Sequence, residues 1–255
     1  MMDAEFNLKE YILHHMQDAS QWQLPFVRPI LLPPLLSLHG LMVIIGALIL
    51  VVVFCFLYQR NQRVPRHFTN FLEFLVLFIR DEIAVRNLGE SDGRRLTPFL
   101  CTLFFFILTL NLMGLVPVFS SPTANPNVTG SLAFLTLCLM ILGTLGMKGW
   151  KGLCKAITPS GVPAWLLVLL LPLEIVGLFI KAAALMIRLF ANMLAGHMVV
   201  LSMLGLVLLF GMVAIPSIIL AVCIGVLEIF IAFLQAYIFT MLSAVFIGRM
   251  YHPEH

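Results

Sequence analysis

The apolar runs of this chain are too long and too numerous for a soluble protein. Three uncharged runs occupy residues 38–58, 97–117 and 131–147, and from 163 to 248 almost every residue is apolar. A helix needs about 20 apolar residues to cross the hydrocarbon core of a membrane. The chain is 61% hydrophobic and 11% charged, whereas about 25% of the residues in a typical soluble domain are charged. We therefore predict an all-α integral membrane protein, a single membrane domain with five membrane-embedded helices.

The apolar segment 163–248 is longer than a membrane is thick. Its main break is FGMVAIPS, from Phe210 to Ser217, which predicts the apex of a hairpin. The two helices would have roughly 45 and 30 residues, and the first would be about 68 Å long against a hydrocarbon core of about 30 Å. Such a helix must tilt strongly, bend, or lie partly at the interface, and Pro172 and Gly177 are places where it could bend. We predict a long, tilted C-terminal hairpin.

The charged residues predict how the chain is oriented. Segment 65–90 mixes apolar and charged residues, which favours a helix lying at the interface, and the polar, proline-broken segment 1–37 lacks the order of a signal peptide. Five passes that start outside leave only Lys9 and Arg28 on the outer side. Cationic residues favour the cytoplasmic side, so we predict an outer N-terminus and a cytoplasmic C-terminus. The inner cations would be Arg60, Arg63, Arg66, Arg80, Arg86, Arg94, Arg95, Lys148, Lys151, Lys155 and Arg249.

Motif content disfavours several classes of function. The chain has no basic arm, glycine-rich phosphate loop or acidic tail, so we expect no nucleic-acid or nucleotide binding. It has no H-E-x-x-H or G-x-S-x-G motif, and its five scattered cysteines show no C-x-x-C spacing, which favours packing roles over a metal site. We expect no metal and no cofactor. A secondary transporter and an intramembrane enzyme are the alternative functions, although no internal repeat typical of transporters is evident.

Polar side chains interrupt the predicted hairpin at regular intervals. Arg188 lies within the apolar stretch LMIRLFANMLAGHMV, where an arginine costs about 2.5–3.5 kcal/mol on insertion scales. Spacings of 7, 7 and 14 residues place Glu174, Lys181, Arg188 and Ser202 on one slowly drifting helical stripe. Asn192 follows Arg188 by one turn. Three alanines lie on the same face and would let another helix approach closely; they are Ala184, Ala191 and Ala195.

A second set of polar residues predicts the register of the hairpin. His197 is rotated by about 180° from Arg188 on the same helix, and Glu228 and Gln235 lie seven residues apart on the next helix. Opposite residues of an antiparallel hairpin have numbers with a constant sum. His197 with Glu228 gives 425 and Arg188 with Gln235 gives 423, so both pairs agree with one apex near residue 212. We predict that each pair shares a depth in the membrane.

Several of these residues also have simpler structural interpretations. His197 and Glu228 could be a buried polar pair, or a titratable and hydrated proton path, because intramembrane Glu and His often mark one. Lys181 could snorkel to the inner interface, and Asn192 and Gln235 could be ordinary interhelical hydrogen-bonding groups. Ser202, like Thr240 and Ser243, could simply bond the backbone. An ion pair of Arg188 with Glu174 is disfavoured, because the two would lie about 21 Å apart along a straight helix.

At these residues the chain closely resembles the subunit a family of the F-type rotary ATP synthase, the membrane stator that works against a ring of c subunits. The specific part is RLFANMLAGH on one helix and FLQAYIFTMLSAVFI on the next, with weaker support from NLMGLVP and the terminal YHPEH. The resemblance implies a subunit that is not catalytic by itself and has the c-ring, the peripheral stalk subunit b, other ATP synthase subunits, lipid and protons as partners. The apparent absence of a transit peptide favours a bacterial plasma membrane over the mitochondrial inner membrane.

The resemblance also implies roles for particular residues. Arg188 would face the essential carboxylate of each passing c subunit, flanked by Asn192 and Gln235. His197 and Glu228 would form the outer half-channel pair, with the two positions exchanged relative to many bacterial members. Glu174 would be an inner half-channel acid, and Lys181 and Ser202 are further candidates. Gly114 stands where an acid is common in NLMGLVP, which leaves Asn111 as that segment's candidate for the proton path.

The physical chemistry of arginine fits the implied role. A carboxylate in hydrocarbon stays protonated, because burial disfavours its charged form. A nearby guanidinium keeps its own charge and favours the ionised carboxylate, whereas a buried lysine can lose its proton. The same fixed charge would repel a proton that leaked between two half-channels. We therefore expect Arg188 to couple proton flow to rotation of the ring.

Overall fold

The computed structural model describes residues 21–22, 30–31, 37–57, 68–116, 119, 121–158, 164–210 and 215–251. Strand β1 (Gln21–Trp22) pairs antiparallel with β2 (Ile30–Leu31), and the remaining regular structure in these ranges is helical. Within these described ranges, five helices are long and apolar enough to cross a membrane. This confirms the predicted all-α membrane architecture. The predicted outer segment 1–37 lies almost entirely outside the described residues.

Six helices follow one another along the described chain. α1 (Leu38–Val52) continues into a π-helical turn, Val53–Leu57, and α2 (Phe68–Phe78) continues through a second one, Ile79–Val85, to Arg86–Leu88. α3 (Glu90–Leu115) and α4 (Pro126–Ile157) flank a short 3-10 turn, Pro122–Ala124. α5 (Ala164–Phe210) and α6 (Ile215–Tyr251) are the two longest helices. The predicted apex near residue 212 lies outside the described residues.

Helix α3 begins seven residues earlier than the predicted span 97–117. Gly89 adopts a positive φ of 80°, which glycine tolerates and which separates α2 from α3. Glu90 lies in the first turn, where a carboxylate interacts favourably with the helix dipole, and it pairs with Arg94 at 2.8 Å. The charged segment Glu90–Arg95 therefore forms the first turns of α3, and the helix that precedes it ends at Leu88, two residues before the predicted end of the interfacial helix.

Helix α4 is longer at both ends than the predicted span 131–147. It starts at Pro126, the first-turn position that suits proline, and the Asn125 side chain accepts a hydrogen bond from the Asn127 backbone N–H at 2.9 Å. Near its end Gly149 adopts a φ of 67°, which kinks the helix. Helical structure resumes after this kink and continues to Ile157, ten residues beyond the predicted end at residue 147.

Helix α2 carries one buried apolar face. Leu72, Leu75 and Ile79 are buried, whereas charged side chains further along are exposed. The Arg80 guanidinium donates to both carboxylate oxygens of Asp81 at 2.7 and 3.0 Å, and these hydrogen bonds lower the pKa of Asp81. The location of α2 at the membrane interface stays a prediction.

The chain divides into two compact units. The first contains described residues of 1–50, 106–128 and 189–235, and its core includes Met42, Met113 and Leu189. The second contains those of 51–105, 129–188 and 236–255, and its core includes Phe104 and Phe239. Both long helices pass through both units.

Helix α5 runs through 47 residues with Pro172 inside it. At 1.5 Å per residue it is about 70 Å long, more than twice the thickness of a hydrocarbon core. The predicted tilt relative to a membrane stays a prediction. The polar residues singled out on the hairpin lie on α5 and α6, and they are described below.

Candidate functional site

Arg188 lies on an exposed face of α5. Leu185 and Leu189, its neighbours about 60° and 100° around the helix, are buried, whereas Arg188 itself is exposed. The small residues predicted to share its face are exposed as well; they are Ala184, Ala191 and Ala195. Among the described residues no carboxylate forms an ion pair with Arg188.

Glu174 and Lys181 form an ion pair on α5. The Lys181 Nζ lies 3.5 Å from the Glu174 Oε1, and both side chains are partly exposed. The same Nζ lies 6.0 Å from the centre of the Phe246 ring of α6, where a cation is attracted to the aromatic face. Glu174 is therefore paired with Lys181, seven residues away on one helical stripe, and the disfavoured pairing with Arg188 has no support.

Glu228 is buried where α6 meets α5. Its side chain is 4% exposed, and a Cβ atom built on Gly196 would lie 2.6 Å from the Glu228 Oε1. The numbers of these two residues sum to 424, between the predicted sums of 423 and 425. The side chain of His197, next to Gly196, lies outside the described part of the chain, so its contact with Glu228 stays a prediction.

Gln235 follows Glu228 by seven residues and is also buried, with 2% of its side chain exposed. Both residues thus lie on the buried face of α6, as their spacing predicts. The Gln235 Nε2 has no hydrogen-bond partner among the described residues. Asn192 is partly exposed. The shared depth of Arg188 and Gln235 stays a prediction.

Asn111 reaches the α6 backbone between Glu228 and Gln235. Its Nδ2 donates to the carbonyl oxygen of Ala232 at 3.4 Å, and its side chain is fully buried. The Asn111 Oδ1 has no hydrogen-bond partner among the described residues. Asn111 therefore lies beside the stretch of α6 that carries both predicted polar residues.

Two buried hydroxyl residues between α3 and α4 were not singled out from the sequence. Ser121 and Thr123 are buried, and their hydroxyl oxygens have no hydrogen-bond partner among the described residues. A Cβ on Gly114 would lie 2.6 Å from the Ser121 Oγ. The sequence pattern of the segment around Ser121 and Thr123 is that of a polar turn. The absence of charged residues is the one feature of the segment that could have indicated burial.

The remaining candidate, Ser202, bonds the helix backbone. Its hydroxyl donates to the Met198 carbonyl oxygen at 2.6 Å. Thr240 and Ser243 do the same one turn back on α6, at 2.9 and 2.8 Å. These geometries fit the simpler interpretation of all three. In the described ranges, no three His, Cys, Asp or Glu side chains are grouped so as to hold a metal ion.

Comparisons with known proteins agree with these features. The model of the ATP synthase A chain family matches residues 40–248. The chain is 46% identical to ATP synthase subunit a of Anaeromyxobacter dehalogenans (strain 2CP-C) over 216 residues, 82% of this chain and 56% of that protein. It is 44% identical to ATP synthase subunit a of Myxococcus xanthus, covering 85% of this chain and 75% of the relative.

A more distant relative covers nearly the whole chain. ATP synthase subunit a of Chloroherpeton thalassium is 38% identical over 259 residues, 95% of this chain and 77% of that protein. The chain spans about half the length of some curated relatives and about three quarters of others. The range matched by the family model includes Arg188, Glu228 and Gln235. The chain belongs to the ATP synthase A chain family.

Proposed function

We propose that this chain is the proton-translocating stator subunit of an F-type ATP synthase. Arg188 would face the carboxylates of a rotating c-ring, and two aqueous half-channels would connect those carboxylates to the two sides of the membrane. The subunit is not catalytic by itself, and it works with the c-ring, subunit b and other ATP synthase subunits. The proposed location is a bacterial plasma membrane, with the N-terminus outside and the C-terminus in the cytoplasm.

The observation that carries this proposal is the uncovered face around Arg188. A guanidinium in an apolar helix is costly unless it has a partner, and no described carboxylate supplies one. The exposed alanines on its face leave room for another helix to pack closely. A carboxylate on a passing partner helix would satisfy Arg188, and the next carboxylate could replace it without a change in this chain.

Burial of polar groups supports an outer half-channel in the first unit. Glu228, Gln235 and Asn111 are each buried, as are Ser121 and Thr123. Buried polar groups in folded proteins are hydrogen-bonded to protein or to ordered water. Water beside these side chains would form a hydrated path, with His197 and Glu228 as its titratable groups.

The inner half-channel is supported by a different pair in the second unit. Glu174 and Lys181 are partly exposed and form one ion pair. Glu174 lies 14 residues before Arg188 on α5, about 21 Å along the helix axis. We infer that Glu174 exchanges protons with the cytoplasmic side and that Lys181 holds its carboxylate in place.

The driving force in this proposal is the membrane potential. One elementary charge that crosses the membrane yields about 2.3 kcal/mol per 100 mV. That energy turns the ring only if protons cannot pass directly from one half-channel to the other. The fixed charge of Arg188 supplies the barrier, because a guanidinium does not deprotonate in proteins.

The decisive experiment replaces Arg188 in the assembled complex. In inverted membrane vesicles, Arg188→Ala is expected to abolish ATP-driven proton pumping while the complex still assembles. Arg188→Lys is expected to fail as well, and Arg249→Ala, which removes another exposed arginine, is the matched control. Normal pumping by Arg188→Ala, or transport by the purified chain without a ring, would refute the proposal and favour the transporter alternative.

A further inference from the structure

The second unit contains an open cavity that the proposed proton path does not use. Its volume is about 550 Å³. Its lining comes from the start of α3, the later part of α4 and the end of α6; the residues are Asp92, Arg95, Leu96, Gly143, Gly146 and Tyr251. The cavity therefore lies where the ends of three helices meet.

The ends of three candidate membrane spans place this cavity at a membrane–water boundary. The candidate spans include Glu90–Leu115, Pro126–Gly146 and Pro216–Tyr251. The cavity is lined by residues near the first end of one span and by the last residues of the other two. Lipid headgroups lie at this level, just outside the hydrocarbon core.

Two glycines of α4 shape the cavity in different ways. A Cβ on Gly143 would overlap the Tyr251 hydroxyl, so Gly143 lets the phenol pack against the helix. Lys148 donates a hydrogen bond from its Nζ to the Tyr251 backbone carbonyl, which fixes the end of α6 from the other side. Gly146 has no atom within 4 Å of its Cβ position. The cavity is therefore open beside Gly146, and a larger side chain at this position would fill that space.

The charges of the cavity specify the chemistry of a ligand. Asp92 and Arg95 lie three residues apart on α3 and carry opposite charges, and Arg95 is exposed. A guanidinium binds phosphate with two parallel hydrogen bonds. A carboxylate has about four lone-pair sites, so it can accept from a ligand ammonium in addition to a protein neighbour. A ligand that carries both a phosphate and a primary ammonium complements the pair.

We propose that this cavity binds an ethanolamine phosphate group, with Arg95 on the phosphate, Asp92 on the ammonium, and the end of α6 as one wall. A phosphatidylethanolamine headgroup has this chemistry, and so has soluble glycerophosphoethanolamine. Choline lacks N–H donors and a glycerol headgroup lacks the cation, so both complement Asp92 less well than ethanolamine does. The proposal rests on the chain being a multi-pass membrane protein and is independent of proton coupling.

The test measures phospholipids retained by the full chain. The purified chain, and separately the assembled complex, are exposed in mild detergent to equal amounts of phosphatidylethanolamine, phosphatidylcholine and phosphatidylglycerol, and bound lipid is counted by native mass spectrometry. The choline lipid cannot form the charge-assisted hydrogen bond from the ammonium to Asp92, so the ethanolamine lipid is expected to be retained about tenfold more than the choline lipid. Asp92→Asn should remove this preference, and Arg95→Gln should weaken retention of all three lipids.

A matched pair of variants tests whether the lipid headgroup binds in this cavity. Gly146→Leu fills the open wall and should abolish preferential retention, whereas Gly146→Ala adds only one methyl group and should preserve it. Displacement of the lipid by soluble glycerophosphoethanolamine at low millimolar concentration would identify the headgroup alone as the ligand, and failure of displacement would assign the site to the membrane lipid. Equal retention of all three lipids, insensitivity to Gly146→Leu, or retention only by the chain stripped of its partner subunits would overturn the proposal.

Discussion

The Glu228 carboxylate lies against the backbone of Gly196, so close that a Cβ atom there would be 2.6 Å from Oε1. Glycine at position 196 therefore lets a buried acid of α6 approach the turn of α5 that carries His197. Had any other residue occupied position 196, the carboxylate would have to move. This contact joins the two long helices within the first unit at the register that their polar residues predict.

Replacing Gly196 should disturb the proposed outer half-channel without unfolding the chain. In Gly196→Ala the new methyl group displaces the Glu228 carboxylate, and we expect ATP-driven proton pumping to fall several-fold. Pumping is measured by fluorescence quenching in inverted vesicles. Gly225→Ala is the matched control, because nothing lies within 4 Å of its Cβ position. Equal pumping by the two variants would show that the close approach has no functional consequence.

His197 and Glu228 are expected to act as one unit in proton transfer. Substitutions that interrupt the same path lose the same function, so their effects do not add. His197→Ala and Glu228→Ala should each slow pumping, and the double variant should be little slower than the worse single variant. The measurement is the initial pumping rate of all four proteins at equal complex content. Additive losses would place the two residues on separate paths.

The alanines beside Arg188 are predicted to provide clearance for the rotor. Ala191→Leu adds bulk to the exposed face that carries Arg188, and we expect it to slow both pumping and ATP synthesis while leaving assembly intact. Ala183 is also exposed on α5 but points about 140° away from Arg188. Ala183→Leu should therefore leave both rates near wild type. Faster pumping and ATP synthesis by Ala191→Leu than by Ala183→Leu would contradict the prediction that the face carrying Arg188 contacts the rotor.

The end of α6 is held by the contact of Tyr251 with Gly143. Overpacking a closely packed contact costs about 1–3 kcal/mol, so Gly143→Ala should lower the thermal unfolding temperature of the purified chain in detergent. Tyr251→Phe removes the hydroxyl that a Cβ would overlap, and in the Gly143→Ala background it should recover part of the loss. If Tyr251→Phe recovers none of it, the clash is not with the hydroxyl.

Much of this architecture could be predicted because it depends on local patterns. The length of an apolar run decides whether a helix can span a membrane, and this length can be counted without knowing which other segments pack against the helix. The seven-residue spacings of Glu228 with Gln235 and of Glu174 with Lys181 predict shared faces, because the helical period is fixed. The buried pair on α6 and the ion pair on α5 follow these spacings.

The helix ends were harder to predict because single residues decide them in context. The second span was predicted to begin at residue 97, yet the positive φ of Gly89 interrupts the helix and α3 begins at Glu90. The predicted third span ends at residue 147, yet Gly149 only kinks α4 and the helix continues to Ile157. The burial of Ser121 and Thr123 also could not be read from a polar turn, since burial depends on what packs over the turn.

The sequence by itself determined the membrane-embedded class of the protein and the faces shared by polar residues of its long helices, because helical period and apolar length are properties of consecutive residues. Only the tertiary structure decided which glycines lie in close contact with a side chain from a distant segment. Gly196 contacts Glu228, which is 32 residues away in the sequence, and Gly143 contacts Tyr251, which is 108 residues away. Such contacts depend on the packing of distant segments, and no local pattern encodes them.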